Sequence, residues 1–153
     1  MVLKNKCGFT LIEAMMVIVI MSIVTVIALP HIDHVIQHQK LHNEAQRLAW
    51  VLRSARQQAI TSGVSSRVEF YYYTNRYDVN YQTRYFLPDG ITYRAKPTFI
   101  HQGSHNIYCI FAPSGAPSPG GTVCLTNRNG ELIYIIVNLP AGRVRVSDTP
   151  PNT

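Results

Sequence analysis

Gly8-Phe9-Thr10-Leu11-Ile12-Glu13 opens a nearly unbroken apolar run, Ala14 to Leu29, which Pro30 ends. Ahead of it lies a short basic stretch, Met1 to Cys7, carrying Lys4 and Lys6. One residue contradicts the run: Glu13, an acid placed where hydrocarbon should begin. An ionised carboxylate at membrane depth costs several kcal/mol, so such a residue implies a function and a cationic partner. From Phe9 to Leu29 a helix rising about 1.5 Å per residue covers roughly 30 Å, the thickness of a bilayer's hydrocarbon core. The run is longer than a secretory h-region, and no small-x-small cleavage site follows it. We therefore expect a single-pass membrane helix, its basic flank cytoplasmic and the rest of the chain periplasmic.

A basic leader, then GFTLIE, then an apolar run of spanning length resembles the type III signal of type IV pilins and type II secretion pseudopilins. The resemblance implies that a prepilin peptidase removes residues 1–8 by cutting after Gly8, and N-methylates Phe9. It also implies that Glu13 neutralises the terminal amine of a neighbouring subunit during assembly. Two opposite charges buried together cost far less than either alone, which agrees with that role. The subunit would reside in the bacterial inner membrane and then join a pilus at the cell surface, with other pilins as partners.

At 153 residues the chain suits one domain plus an anchor. Removing Lys4 and Lys6 with the leader lowers the net charge from +6 to +4. That balance favours an acidic partner, nucleic acid or anionic lipid, without choosing between them.

Past Pro30 the pattern stays helical. Ile32, Val35, Ile36, Ala45, Leu48, Ala49, Leu52, Ala55 and Ala59 recur at three- and four-residue steps, with Arg47, Arg53, Arg56 and Gln57 between them. Pro30 should kink or briefly interrupt this helix, and Ser62-Gly63 should stop it. His31, His34, His38 and His42 lie at helical spacing, but no HExxH or completing carboxylate set accompanies them, so no metal is assigned. They are expected to form a solvated stripe or to pack against neighbouring subunits.

From Val64 the period changes to that of strands: Arg67–Tyr73, Tyr77–Tyr81, Arg84–Leu87, Ile91–Arg94, Ile107–Phe111, Thr122–Leu125, Glu131–Val137 and Arg143–Val146. Pro88-Asp89-Gly90 and Asn127-Arg128-Asn129-Gly130 are turn signals. A long helix followed by antiparallel strands is α+β, here a type IV pilin-like fold. The expected organisation is leader 1–8, membrane and filament-core helix 9–30, amphipathic helix 31–63, β-rich domain 64–146 and flexible tail 147–153. Cys109 and Cys124 remain once Cys7 leaves with the leader. In an oxidising periplasm they are expected to form a disulfide worth about 3 kcal/mol, the alternative being two separate buried thiols.

Phe111-Ala112-Pro113-Ser114-Gly115, then Asn129-Gly130, then Gly142-Arg143-Val144-Arg145 resembles the GspH/FimT group of minor pilins and pseudopilins. In the FimT branch a GRxR motif is associated with DNA binding during natural transformation, which implicates Gly142, Arg143 and Arg145. The chemistry stands on its own too. Residues i and i+2 of a strand share a face, so two guanidiniums about 7 Å apart can engage successive phosphates. Such contacts position DNA without reading sequence, and they weaken with salt. Arg94, Lys96 and Arg128 are possible outlying contributors. Paired arginines on an edge strand also discourage aggregation, a purely structural role.

No enzyme constellation competes. Ser114-Gly115 lacks a GxSxG frame, Gly120-Gly121 is not a phosphate loop, and His101, His105 and Asp89 have no paired nucleophile. No cofactor is implied. Two functions stay open: a DNA-binding minor pilin serving DNA uptake in competence, or a structural subunit of a pilus or type II secretion pseudopilus.

Overall fold

The computed structural model describes residues 9–102 and 106–151, and their side chains except at 27–32, 100–102 and 106. The leader with Cys7 and Gly8, the loop residue His105 and the last two residues lie outside the described residues, as do the side chains of His31, Ile32 and His101. The chain divides into two compact units, the first ending at Ile36 and the second beginning at Gln37.

One helix, α1 (Leu11–Ser62), runs through both. Its start is written in the opening motif: Thr10 Oγ1 accepts a hydrogen bond from the Glu13 backbone N–H at 3.3 Å. That is the N-cap half of an S/T-x-x-E capping box, which satisfies a donor the first turn would otherwise leave free. Glu13 is also the acid of that first turn, where the helix dipole favours negative charge. The expected interruption at Pro30 does not occur, and α1 is continuous there. It ends as expected, with Gly63 at φ 67° just past the last turn.

In the first unit, the apolar side chains from Leu11 to Val26 all stand exposed, Leu11 at 82% and Val26 at 71%. Among the described residues no helix is long and apolar enough to cross a membrane; the described side chains of the apolar run stop at Val26. Val35 and Ile36, expected on the buried stripe, are exposed.

In the second unit α1 buries Leu41, Ala45, Leu48, Ala49, Leu52, Ala55 and Ala59. The alanines let sheet side chains approach the helix closely, and the larger residues supply most of the area removed from water. Two antiparallel sheets share this core. The larger is six-stranded, ordered β3 (Thr83–Phe86), β2 (Arg76–Val79), β1 (Ser66–Tyr71), β6 (Asn106–Phe111), β5 (Ile100–Gln102), with β7 (Pro117–Ser118) also on β6. The smaller is ordered β10 (Arg143–Ser147), β9 (Leu132–Asn138), β8 (Gly121–Thr126), β4 (Thr92–Tyr93). Phe70 and Phe111 of the first and Val123, Leu125 and Ile135 of the second meet the helix stripe in one hydrophobic cluster.

Several boundaries differ from the sequence reading. Tyr72–Thr74 form a 3₁₀ turn instead of extending β1. Tyr81 is no strand residue: Asn80 and Tyr81 have φ 49° and 58°, and the Gln82 N–H donates to the Val79 carbonyl at 2.9 Å. Positive φ at both central residues suits a two-residue hairpin. The second hairpin falls where expected, with Asn127 Oδ1 accepting from the N–H groups of Asn129 and Glu131 and Gly130 at φ 81°. The tyrosine-rich stretch, which matched no motif, carries cation–π contacts. Arg76 lies 4.1 Å from the Tyr71 ring centre and Arg67 lies 4.5 Å from that of Tyr108.

The disulfide expectation is corrected. Cys109 sits on β6 and Cys124 on β8, in different sheets, and both are free thiols. Cys109 is buried in the core, whereas Cys124 alternates with the core residues Val123 and Leu125 on β8, so its side chain is on the opposite face of its sheet.

Candidate nucleic-acid interface

β10 is the edge of the smaller sheet, and its alternation is the one the motif requires. Arg143 and Arg145 are exposed while Val144 between them is 6% exposed and joins the core. Gly142 precedes them at φ 63° and is buried against its neighbours. A Cβ there would stand 2.5 Å from the Gly115 carbonyl oxygen and 3.0 Å from Arg56 Nε. Only glycine fits, because both the backbone sign and the space exclude a side chain.

The helix contributes two further arginines, which the sequence reading placed only on the polar face of α1. Arg53 Nη2 donates to the Val144 carbonyl at 3.0 Å, and Arg56 Nε donates to the Gly115 carbonyl at 3.0 Å. Arg53 and Arg56 are one helical step of three apart, so they project from adjacent positions on one face. With Ala141, Gly142, Arg143 and Val144 they line a cleft of about 370 Å³. Among the described residues none of the four arginines is in an ion pair. Three cations lining one cleft without a carboxylate suit an anionic ligand, since their mutual repulsion is relieved when phosphate arrives. The signal in the sequence was the i, i+3 arginine pair on α1, but nothing local said that β10 would meet it.

The outlying cations are not brought to this edge. Arg94 follows β4, on the opposite edge of the same sheet, about 14 Å from β10 across three strand spacings. Arg128 belongs to the β8–β9 turn beside Gly90, about 20 Å along β9 from the end that pairs with Arg143. Lys96 is exposed beyond β4.

Elsewhere, His38 Nδ1 lies 3.3 Å from Glu131 Oε2, and the His38 and His42 rings stack at 6.0 Å. Among the described residues no three side chains are grouped to hold a metal ion. Asp89 is exposed on its turn. Phe9 is 81% exposed, whereas Gly8, on the other side of the expected cleavage point, lies outside the described residues.

Residues 3–29 match the prokaryotic N-terminal methylation motif. In three dimensions the chain is similar to the minor pseudopilin EpsH from the Type 2 Secretion System of Vibrio cholerae. The TM-score is 0.57 at 15% identity, over 71% of this chain and 96% of that one. No curated protein matches by sequence. An N-terminal methylation motif is thus joined to a fold similar to that of the minor pseudopilin EpsH.

Proposed function

We propose that this chain is a minor filament subunit that binds the phosphate backbone of DNA through its β10 edge and serves DNA uptake. The observation that carries the reading is the convergence of Arg53, Arg56 and Arg143 on one cleft around Gly142, lined by no carboxylate, with Arg145 exposed two residues further along the same strand. Contacts of this kind recognise charge and spacing, so binding is independent of sequence and steeply dependent on salt. The subunit acts by binding and assembly, not by catalysis.

The N-terminal segment supplies the rest of the proposal. A prepilin peptidase cuts after Gly8 and methylates Phe9, the helix from Phe9 anchors the subunit in the inner membrane, and Glu13 pairs with a neighbour's terminal amine in the filament. The exposed apolar side chains from Leu11 to Val26 support burial in lipid first and among other subunits later.

The test is a mobility-shift titration of the full-length protein in detergent with duplex DNA at two salt concentrations. Replacing Arg143 and Arg145 together by Ala should lower affinity and reduce the slope of log K against log salt by about 1.8, from roughly 0.9 per lost phosphate contact. Unchanged binding in that variant overturns the reading. The fold similarity to a secretion pseudopilin favours a second reading, a structural subunit without DNA affinity. Loss of secretion or piliation on deletion, with no retardation of DNA at low salt, would establish it.

A further inference from the structure

The exposed face of α1 beside the arginine cleft carries Trp50, the chain's single tryptophan and 62% exposed. A large indole left in water on a helix otherwise lined there by Arg47, Arg53, Ser54 and Gln57 asks for a ligand with a flat face. Trp50 precedes Arg53 by three residues, so their Cβ atoms stand about 5–6 Å apart on adjacent positions of the helix surface. Arg53 in turn reaches β10 between the two motif arginines.

On its other flank Trp50 borders a cavity of about 150 Å³ lined also by Ser54, Gln58, Thr83 and Tyr85. A volume of that size holds one aromatic ring. Its far wall is fixed, because the Tyr85 ring stacks on Tyr77 at 5.2 Å and lies 5.0 Å from the Arg47 guanidinium. Hydroxyls of Ser54 and Thr83 and the Gln58 amide offer hydrogen bonds to the edge of a heterocycle, while the indole offers a stacking face.

We infer that Trp50 and the cavity beside it form a nucleobase slot, and that the ligand of this face is single-stranded nucleic acid. Its phosphates run over Arg53 and Arg143 while one unpaired base stacks on Trp50. The inference rests on the phosphate-binding reading above and adds to it the strandedness of the ligand. A duplex keeps its bases stacked inside and cannot fill the slot, whereas a single strand presents a π-face at every nucleotide.

The experiment uses the full-length protein in detergent and the fluorescence of its one tryptophan, titrated with an oligothymidylate and with a duplex of equal length. The single strand should quench the emission and bind roughly tenfold more tightly than the duplex, the worth of one stacked base. Trp50→Ala should remove that preference while leaving duplex affinity unchanged, and Trp50→Phe should restore part of it. Since Trp50 is exposed, circular dichroism of both variants should match the parent. Equal affinity for the two DNAs without quenching, with binding still dependent on Arg143 and Arg145, overturns the slot and leaves the phosphate edge standing. Retardation of neither DNA at low salt overturns both.

Discussion

Gly142 lies so close to Gly115 that a Cβ on the first would stand 2.5 Å from the carbonyl oxygen of the second. The same carbonyl accepts from Arg56 Nε at 3.0 Å. The glycine of the motif therefore seats β10 against the helix, and its arginines are presented by that seat.

Gly142→Ala should accordingly cost stability as well as binding. The left-handed backbone alone costs about 1–2 kcal/mol for a residue with a Cβ, before the clash with Gly115 is counted. At about 2–4 °C per kcal/mol for a chain of this size, the melting temperature should fall by several degrees. Affinity for DNA should fall with it, because Arg143 moves with the displaced edge. A variant that melts with the parent would show that the edge is not seated in this way.

Arg53 and the outlying cations make opposite predictions in DNA binding. Arg53→Ala should weaken binding and lower the salt slope by about 0.9, one phosphate contact. Arg94→Ala and Arg128→Ala, distant from β10, should leave the slope unchanged within error. A slope that responds to Arg94 and not to Arg53 would move the interface to the opposite edge of the sheet.

The helix was legible because its period persists for turn after turn and its stop, Ser62-Gly63, is local, although the Thr10 cap at its start was not read. The alternation of Arg143, Val144 and Arg145 was legible for the same reason. What escaped was whatever depends on distant chain: the division of strands into two sheets, the meeting of Arg56 with Gly115, and the separation of Cys109 from Cys124. Sequence spacing says nothing about which sheet a cysteine's strand will join. The hairpin at Asn80-Tyr81 escaped because tyrosine is a poor marker of positive φ, and the flanking aromatic residues read as strand.

The two thiols should behave independently. Burial pushes the Cys109 thiol up to about 12, and burial also raises that of Cys124, with a hydrogen bond from Tyr134 and the charge of Arg94 offsetting part. Little thiolate is present on either at neutral pH, and Cys109 is fully shielded. In a Cys7→Ser background, a thiol reagent at pH 8 should label Cys124 slowly and Cys109 only on unfolding. Reductant should leave the melting temperature unchanged, whereas breaking a disulfide would cost about 3 kcal/mol. A drop of that size on reduction would restore the bridge.

Glu44 sets a pH dependence of the second unit. Burial holds its carboxyl above the ordinary value of 4.5, and the charge of Arg47 and the hydrogen bond from the Tyr77 hydroxyl offset only part of that. The folded state thus binds this proton more tightly than the unfolded state does. Its contribution to stability is present at low pH and declines as pH rises from about 4.5 through the folded value. Glu44→Gln keeps an acceptor for Tyr77, which donates at 3.1 Å, and removes the charge. At pH 7 the variant should be the more stable, and its stability should lack that decline. A variant destabilised at pH 7 would mean that the Arg47 pair, 3.3 Å away, outweighs the burial cost.

Glu13 has two candidate duties that one substitution series separates. As the third helical residue it lends its N–H to the Thr10 cap and its charge to the helix dipole. As a lone acid beside an exposed apolar run it is suited to meet a neighbour's amine. Helix-end charge is worth only about 0.3–1 kcal/mol, too little to decide whether a subunit enters a polymer. A buried amine left without its counter-charge costs several times more. Glu13→Ala should therefore leave membrane insertion and processing intact but strongly reduce incorporation into filaments. Glu13→Asp, which keeps the charge, should recover part of it, and Glu13→Gln, close in shape but neutral, should not. Recovery of sheared filaments from cells carrying each variant measures the difference. Normal incorporation of Glu13→Gln would assign Glu13 to the helix cap alone.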